Sequence, residues 1–110
     1  MEVIRLMADY ECYPLWWHSG ERVGNIDPST LPLSKTLVEE LLAWADRFDE
    51  TYNSADPAES GFPSVEAMDQ FDAWGMRLWR HLQADLADKY RVVYKRRRDG
   101  VLLEDERQAE

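Results

Sequence analysis

The chain has 110 residues, 45% of them hydrophobic and 12% aromatic, with a formal net charge of −9. That length bounds one domain, which buries roughly two-thirds of its unfolded surface and forms a core without metals or disulfides. The hydrophobic share argues against global disorder, and the acidic field repels a phosphate backbone, which argues against direct nucleic-acid binding. We expect a single domain over residues 1–103 and a charged, fraying tail over 104–110.

Cys12 is the single cysteine, so no internal disulfide forms and the chain suits a reducing, cytoplasmic setting. The opening Met1-Glu2-Val3-Ile4-Arg5 lacks the basic-then-apolar pattern of a secretory signal, and no apolar run approaches the roughly 20 residues of a membrane span. The charge is unevenly placed. Residues 1–63 hold twelve Asp and Glu against four Lys and Arg, and residues 64–110 hold ten against nine. The excess negative charge lies in the first part, where it favours solubility and attracts a cationic protein partner.

Residues 3–8 read as a short strand with Val3, Ile4 and Leu6 apolar. Tyr13 to Ile26 carries Leu15, Trp16, Trp17 and Val23 around His18-Ser19-Gly20-Glu21-Arg22, the pattern of a hairpin. Pro28 and Pro32 break regular structure. Ser34 is a plausible N-cap for a helix reaching about Thr51, whose buried face repeats as Leu37, Leu41, Trp44 and Phe48. A turn-rich link covers 53–63. Ser64 caps a second helix reaching about Asp88, with Met68, Phe71, Gly75, Leu78, Leu82 and Leu86 as its stripe. Gly75 in mid-stripe costs about 1 kcal/mol against Ala, so it predicts close approach of another backbone or relief of a kink. Tyr90 to Arg98, Asp99-Gly100 and Val101-Leu102-Leu103 predict a closing hairpin, with positive φ at both central turn residues. The sum is an α+β domain: an antiparallel sheet of about four to five strands with two α-helices packed on one face.

The residues suit gripping more than chemistry. In a strand, Trp16 and Trp17 point to opposite faces, so one indole lies outside the core beside His18, Glu21 and Arg22. Cys12, His18 and His81 match no compact metal-ligand spacing, and nothing pairs Cys12 with a histidine base. No catalytic, cofactor or metal site is predicted. Glu39, Glu40, Asp46, Asp49 and Glu50 read as a solvated helix face. In Lys95-Arg96-Arg97-Arg98, strand alternation divides the charges between two faces, which suits edge protection or pairing with acidic residues better than a phosphate site.

The stretch Ile4-Arg5-Leu6-Met7-Ala8-Asp9-Tyr10 through Pro14-Leu15-Trp16-Trp17, then Gly24-Asn25-Ile26-Asp27-Pro28, Leu31-Pro32-Leu33-Ser34, Trp44-Ala45-Asp46, Asp56-Pro57-Ala58 and Ser60-Gly61-Phe62, resembles small bacterial cytosolic proteins. Among these are immunity proteins of polymorphic or contact-dependent toxin systems. The resemblance covers roughly residues 4–62 and brings no functional residues with it. It implies an antitoxin that blocks a toxin domain by tight binding, without a reaction of its own. The basic run at 95–98 departs from that picture.

The resulting expectation is an acidic immunity protein for a cationic toxin domain. Its partner-binding residues are Trp17, His18, Glu21, Asp27, Glu39, Glu40, Asp46, Asp56 and Glu59. A nucleic-acid mimic or anti-defence protein uses the same acidic field. A small ligand-binding protein or enzyme would use the hairpin–loop region.

Overall fold

A computed structural model describes residues 2–19, 22–56 and 60–105. The expected contacts Glu21 and Glu59, the Gly20-Glu21 turn and the tail beyond Asp105 lie outside the described residues.

Five strands form one sheet. They are β1 (Glu2–Leu6), β2 (Leu15–Ser19), β3 (Asn25–Ile26), β4 (Tyr90–Lys95) and β5 (Leu102–Leu103), in the order β3-β2-β1-β4-β5. Between β3 and β4 come a 3-10 turn (Pro28–Thr30), α1 (Lys35–Asp49) and α2 (Val65–Leu86). The caps sit where the sequence puts them. Ser34 Oγ accepts from Leu37 N at 3.1 Å, and Ser64 Oγ from Ala67 N at 3.0 Å.

The sheet is mixed, which corrects the all-antiparallel expectation. β1–β2, β2–β3 and β4–β5 are antiparallel, but β1 and β4 run parallel, with Ile4 opposite Val92 and Leu6 opposite Tyr94. Alternation in a strand encodes which face is buried and says nothing of direction. Direction is set by the connection, and two helices with their links supply the long return that a parallel neighbour requires. The unbroken burial of Val92, Val93 and Tyr94 is the mark of a central strand.

Both helices pack on one face. Ile4, Leu6, Leu15, Val92, Tyr94 and Leu103 from the sheet meet Leu37, Leu41, Trp44 and Phe48 from α1 and Phe71, Leu78, Trp79, Leu82 and Leu86 from α2 in one core cluster. Fully burying each such side chain contributes about 1.5–3 kcal/mol. The two buried indoles are satisfied: Trp44 Nε1 donates to Phe71 O at 3.0 Å, and Trp79 Nε1 to Val92 O at 2.8 Å. Gly75 lies under side chains, not under another backbone. A Cβ there would stand 2.8 Å from the Trp44 ring and closer still to the Tyr94 hydroxyl.

Asp72 on α2 is buried beside this point. It accepts from Tyr94 Oη at 3.2 Å and from Arg98 N at 3.0 Å. Burial raises its pKa, and the two donors oppose that shift. The tyrosine hydroxyl is also pushed up, mainly by burial.

The β4–β5 hairpin is present, but its turn differs from the expected two-residue Asp-Gly form. Gly100 N donates to Arg96 O at 2.8 Å and Arg96 N to Val101 O at 2.9 Å, so the loop spans 97–100. Only Gly100 is left-handed in it, at φ 69°. β4 therefore ends at Lys95, and the arginines leave strand alternation. Arg96 pairs with Asp99, Arg98 reaches Asp69 at 3.4 Å, and the Arg97 guanidinium lies 4.7 Å from the Phe48 ring centroid. The three arginines of the basic run are absorbed by the fold at this corner, while Lys95 stays exposed at the end of β4.

Candidate partner-binding site

The feature with the strongest chemical bias is a furrow between the β1–β2 loop (residues 7–14) and the C-terminal half of α1. It consists of two adjoining clefts of about 440 and 390 Å³. Tyr10, Glu11, Asp49 and Tyr52 line the first. Glu11, Cys12, Tyr13, Asn25, Leu42, Ala45, Asp46 and Asp49 line the second. Glu11 and Asp49 belong to both, and no lysine or arginine lines either.

Local structure builds each wall. On α1, Glu39, Leu42, Asp46 and Asp49 follow one another at three- and four-residue steps and so share a stripe. The loop is drawn onto this stripe from two sides. Tyr10 stacks on Phe48 with centroids 4.5 Å apart, and its hydroxyl lies 3.1 Å from Thr51 Oγ1. The Glu11 amide donates to Asp49 Oδ1 at 3.0 Å, with Glu11 held left-handed at φ 59°. An αL conformation costs a side-chain-bearing residue of order 1–3 kcal/mol and persists only where its surroundings enforce it. Asn25 on β3 fixes the far end: Nδ2 donates to Tyr13 O at 2.7 Å and Leu15 O at 2.9 Å, and Oδ1 accepts from Tyr13 N at 2.8 Å.

Tyr13 and Tyr52 remain 42% and 48% exposed and Leu42 36% exposed, so the acidic furrow is edged by open apolar surface. Among the described residues, Glu11, Asp46 and Asp49 form no ion pair. Cys12 is half-buried, and its pKa is raised by desolvation first and by Asp9, Asp49 and Glu11 next. That keeps it a thiol, the reverse of how a nucleophilic cysteine is prepared. Among the described residues, no group of three or more His, Cys, Asp or Glu is placed to hold a metal ion.

The sequence-predicted contacts do not form one patch. Asp46 lies in the furrow and Glu39 extends its stripe toward the start of α1, where Lys35 meets it at 3.7 Å. Asp27 caps the 3-10 turn next to β3, and its pKa is lowered by the Ser29 amide, the Ser29 hydroxyl and, more weakly, the Tyr13 hydroxyl. Glu40 is exposed off the stripe, and Asp56 is exposed in the link before α2. Trp17 and His18 point to opposite faces of the sheet. Trp17 turns to the helix side, where it packs against the core margin, 5.7 Å from Tyr90 and beneath Arg22 at 4.8 Å. Trp16 and His18 lie on the side without helices. Sequence reading missed Glu11, Tyr13, Asp49 and Tyr52 as a set. The excess of carboxylates before residue 64 pointed to this half of the chain, but not to these residues.

The sequence matches the Serratia CdiI immunity protein-like family over residues 2–97. The chain belongs to that family. This agrees with the resemblance to contact-dependent toxin immunity proteins drawn from residues 4–62 and extends it across α2 and β4. The span matched to the CdiI-like family holds every element from β1 to β4, and with them both walls of the furrow. Among curated proteins, none matches the chain significantly.

Proposed function

We propose that this chain is an immunity protein that neutralises a cationic toxin domain by binding it in the cytoplasm, with the furrow between the β1–β2 loop and α1 as the principal contact. Family membership supports the antitoxin role. The observation that carries the choice of surface is the convergence of Glu11, Asp46 and Asp49, none of them ion-paired among the described residues, on a cleft lined by no cation and edged by exposed tyrosines.

The roles divide by physics. Exposed carboxylates paired with toxin Lys or Arg add little each, about 0.2–1 kcal/mol, but together they raise the association rate by roughly 10–10³-fold at low salt. Tyr13, Tyr52 and Leu42 supply the area that loses water, the part of an interface that sets the dissociation rate. Asp27, Glu39, Glu40 and Asp56 add to the acidic field that steers a partner without anchoring it, and Glu21 and Glu59 add to it by their charge alone. Trp17, packed at the core margin, and His18, on the helix-free side, lie outside the furrow and take no part in this contact. A nuclease is one such toxin, because holding nucleic acid requires a basic surface. The protein needs no reaction of its own, and desolvation, with the carboxylates around it, disfavours a thiolate at Cys12.

The test is a pull-down with the tagged chain from its native bacterium at low and high salt, with partners identified by mass spectrometry. A single stoichiometric basic toxin domain, weakened at high salt, supports the reading. No protein partner at either salt refutes it.

A further inference from the structure

The side of the sheet without helices has a chemistry opposite to that of the furrow. Strand alternation and register place Arg5 of β1, Trp16 and His18 of β2, and Arg91, Val93 and Lys95 of β4 on it. Val93 is 1% exposed yet stands outside the helix-side core cluster, so side chains on its own face shield it. On a chain of net charge −9, this surface gathers three cations and a histidine. One of them, Arg91, lies 3.9 Å from the Glu104 carboxylate.

Arg5 is the centre of the patch. Its guanidinium lies 5.8 Å from the Trp16 ring centroid, and Nη1 donates to His18 Nδ1 at 3.2 Å. Arginine has no acceptor, so a neutral His18 carries its proton on Nε2 and offers a further donor. Among the described residues, Arg5 Nε is buried without a hydrogen-bond partner. A buried donor left unmatched is costly, and each such case in a native fold asks for a cause. This half-buried guanidinium sits between an indole and an imidazole, and among the described residues no carboxylate is paired with it.

We infer that the helix-free face docks an acidic, partly apolar segment of a protein partner, with one of its carboxylates seated on Arg5. The carboxylate takes the outer Nη edge and, with a small turn of the guanidinium, Nε as well, the two-pronged pairing arginine favours. Apolar side chains of the segment lie on Trp16, and Arg91 and Lys95 flank it. A second copy placed face to face by a two-fold axis would bring Arg5 against Arg5, which charge disfavours. Nucleic acid is disfavoured by the acidity of the rest of the molecule. The inference stands apart from the furrow, since it uses none of its residues.

The experiment titrates the ¹⁵N-labelled chain with an end-blocked peptide of alternating Glu and Leu, with its Lys/Leu counterpart and with oligothymidylate, following the Arg5 Nε–H, Trp16 Nε1–H and Val93 amide signals. Saturating shifts are expected with the Glu/Leu peptide alone. They should weaken about tenfold in Arg5→Gln and about two- to threefold in Lys95→Gln, which probes the same face without touching Arg5. The inference is overturned by no shift at millimolar peptide, by shifts that both variants leave unchanged, or by a stronger response to oligothymidylate. Shifts at Glu11 and Asp49 with the Lys/Leu peptide report on the furrow independently, so the two readings fail separately.

Discussion

Trp44 holds Phe71 twice. Its ring stacks on the phenyl with centroids 4.5 Å apart and planes 8° from parallel, while its Nε1 donates to the Phe71 carbonyl at 3.0 Å. One residue of α1 thereby fixes both the position and the rotation of α2. Trp44→Ala should destabilise the fold by about 3–5 kcal/mol. Trp44→Phe, which keeps a ring and removes the donor, should cost about 1–2 kcal/mol. Urea denaturation distinguishes the two. No loss in Trp44→Phe would mean that the hydrogen bond adds nothing, and a loss equal to that of Trp44→Ala would mean that the ring stack adds nothing.

Gly75 is the complement of that packing. With the Trp44 ring and Tyr94 hydroxyl inside the space of a β-carbon, Gly75→Ala should overpack the junction and cost about 1–3 kcal/mol, despite alanine's better helix propensity. Tm should fall by about 4–8 °C per kcal/mol lost. A rise in Tm would show that the rings yield freely.

Such relationships mark how far the sequence could be read. Leu37, Leu41, Trp44 and Phe48 repeat at helical spacing and are all buried, so α1 was legible, as were both serine caps. The division of Trp16 from Trp17 across the sheet was legible too, because a two-residue period requires it. Which indole faced the core was not, since that depends on the register against β1. The parallel pairing of β1 with β4 was hidden because alternation carries no direction. The furrow was hidden for a related reason: Glu11 and Asp49 are far apart in sequence and are joined by a hydrogen bond from the Glu11 amide to the Asp49 carboxylate, which leaves no periodic trace.

Neutralising the furrow should separate binding from folding. Asp46→Asn with Glu11→Gln should leave stability within about 0.5 kcal/mol, as surface changes do. It should weaken affinity for the basic toxin domain about tenfold, mostly through a slower and less salt-sensitive association. Surface plasmon resonance at two ionic strengths reads both quantities. Unchanged kinetics would place the interface elsewhere.

Asn25 ties Tyr13 to the sheet through three hydrogen bonds from one side chain. Asn25→Ala should cost about 1–3 kcal/mol in stability and accelerate hydrogen exchange at the Tyr13 amide, which loses its acceptor. Exchange measured by NMR checks this, and a Tyr13 amide that stays protected would show that the loop holds itself.

The β4–β5 turn should resist acid. The side-chain hydrogen bonds from Arg96, the largest cause, hold Asp99 at about 2 against an ordinary 3.8. A depressed folded-state pKa contributes stability that is present above the ordinary value and lost as pH falls through the folded value. The Val101 amide, which donates to Asp99 Oδ1 at 3.1 Å, should therefore shift with a midpoint near 2 in an NMR titration. In Arg96→Gln that midpoint should move back toward 3.8.

The parallel seam has a consequence for timing. β1 leaves the ribosome first, yet its central neighbour, β4, begins at Tyr90. At about 5–20 residues per second, the sheet cannot close until several seconds of further synthesis have passed. Until then β1 has only β2 beside it, and its other edge stands open. On the antitoxin role proposed above, an unfinished copy would give no protection, so defence would rest on the standing pool of completed molecules rather than on the speed with which new copies are made.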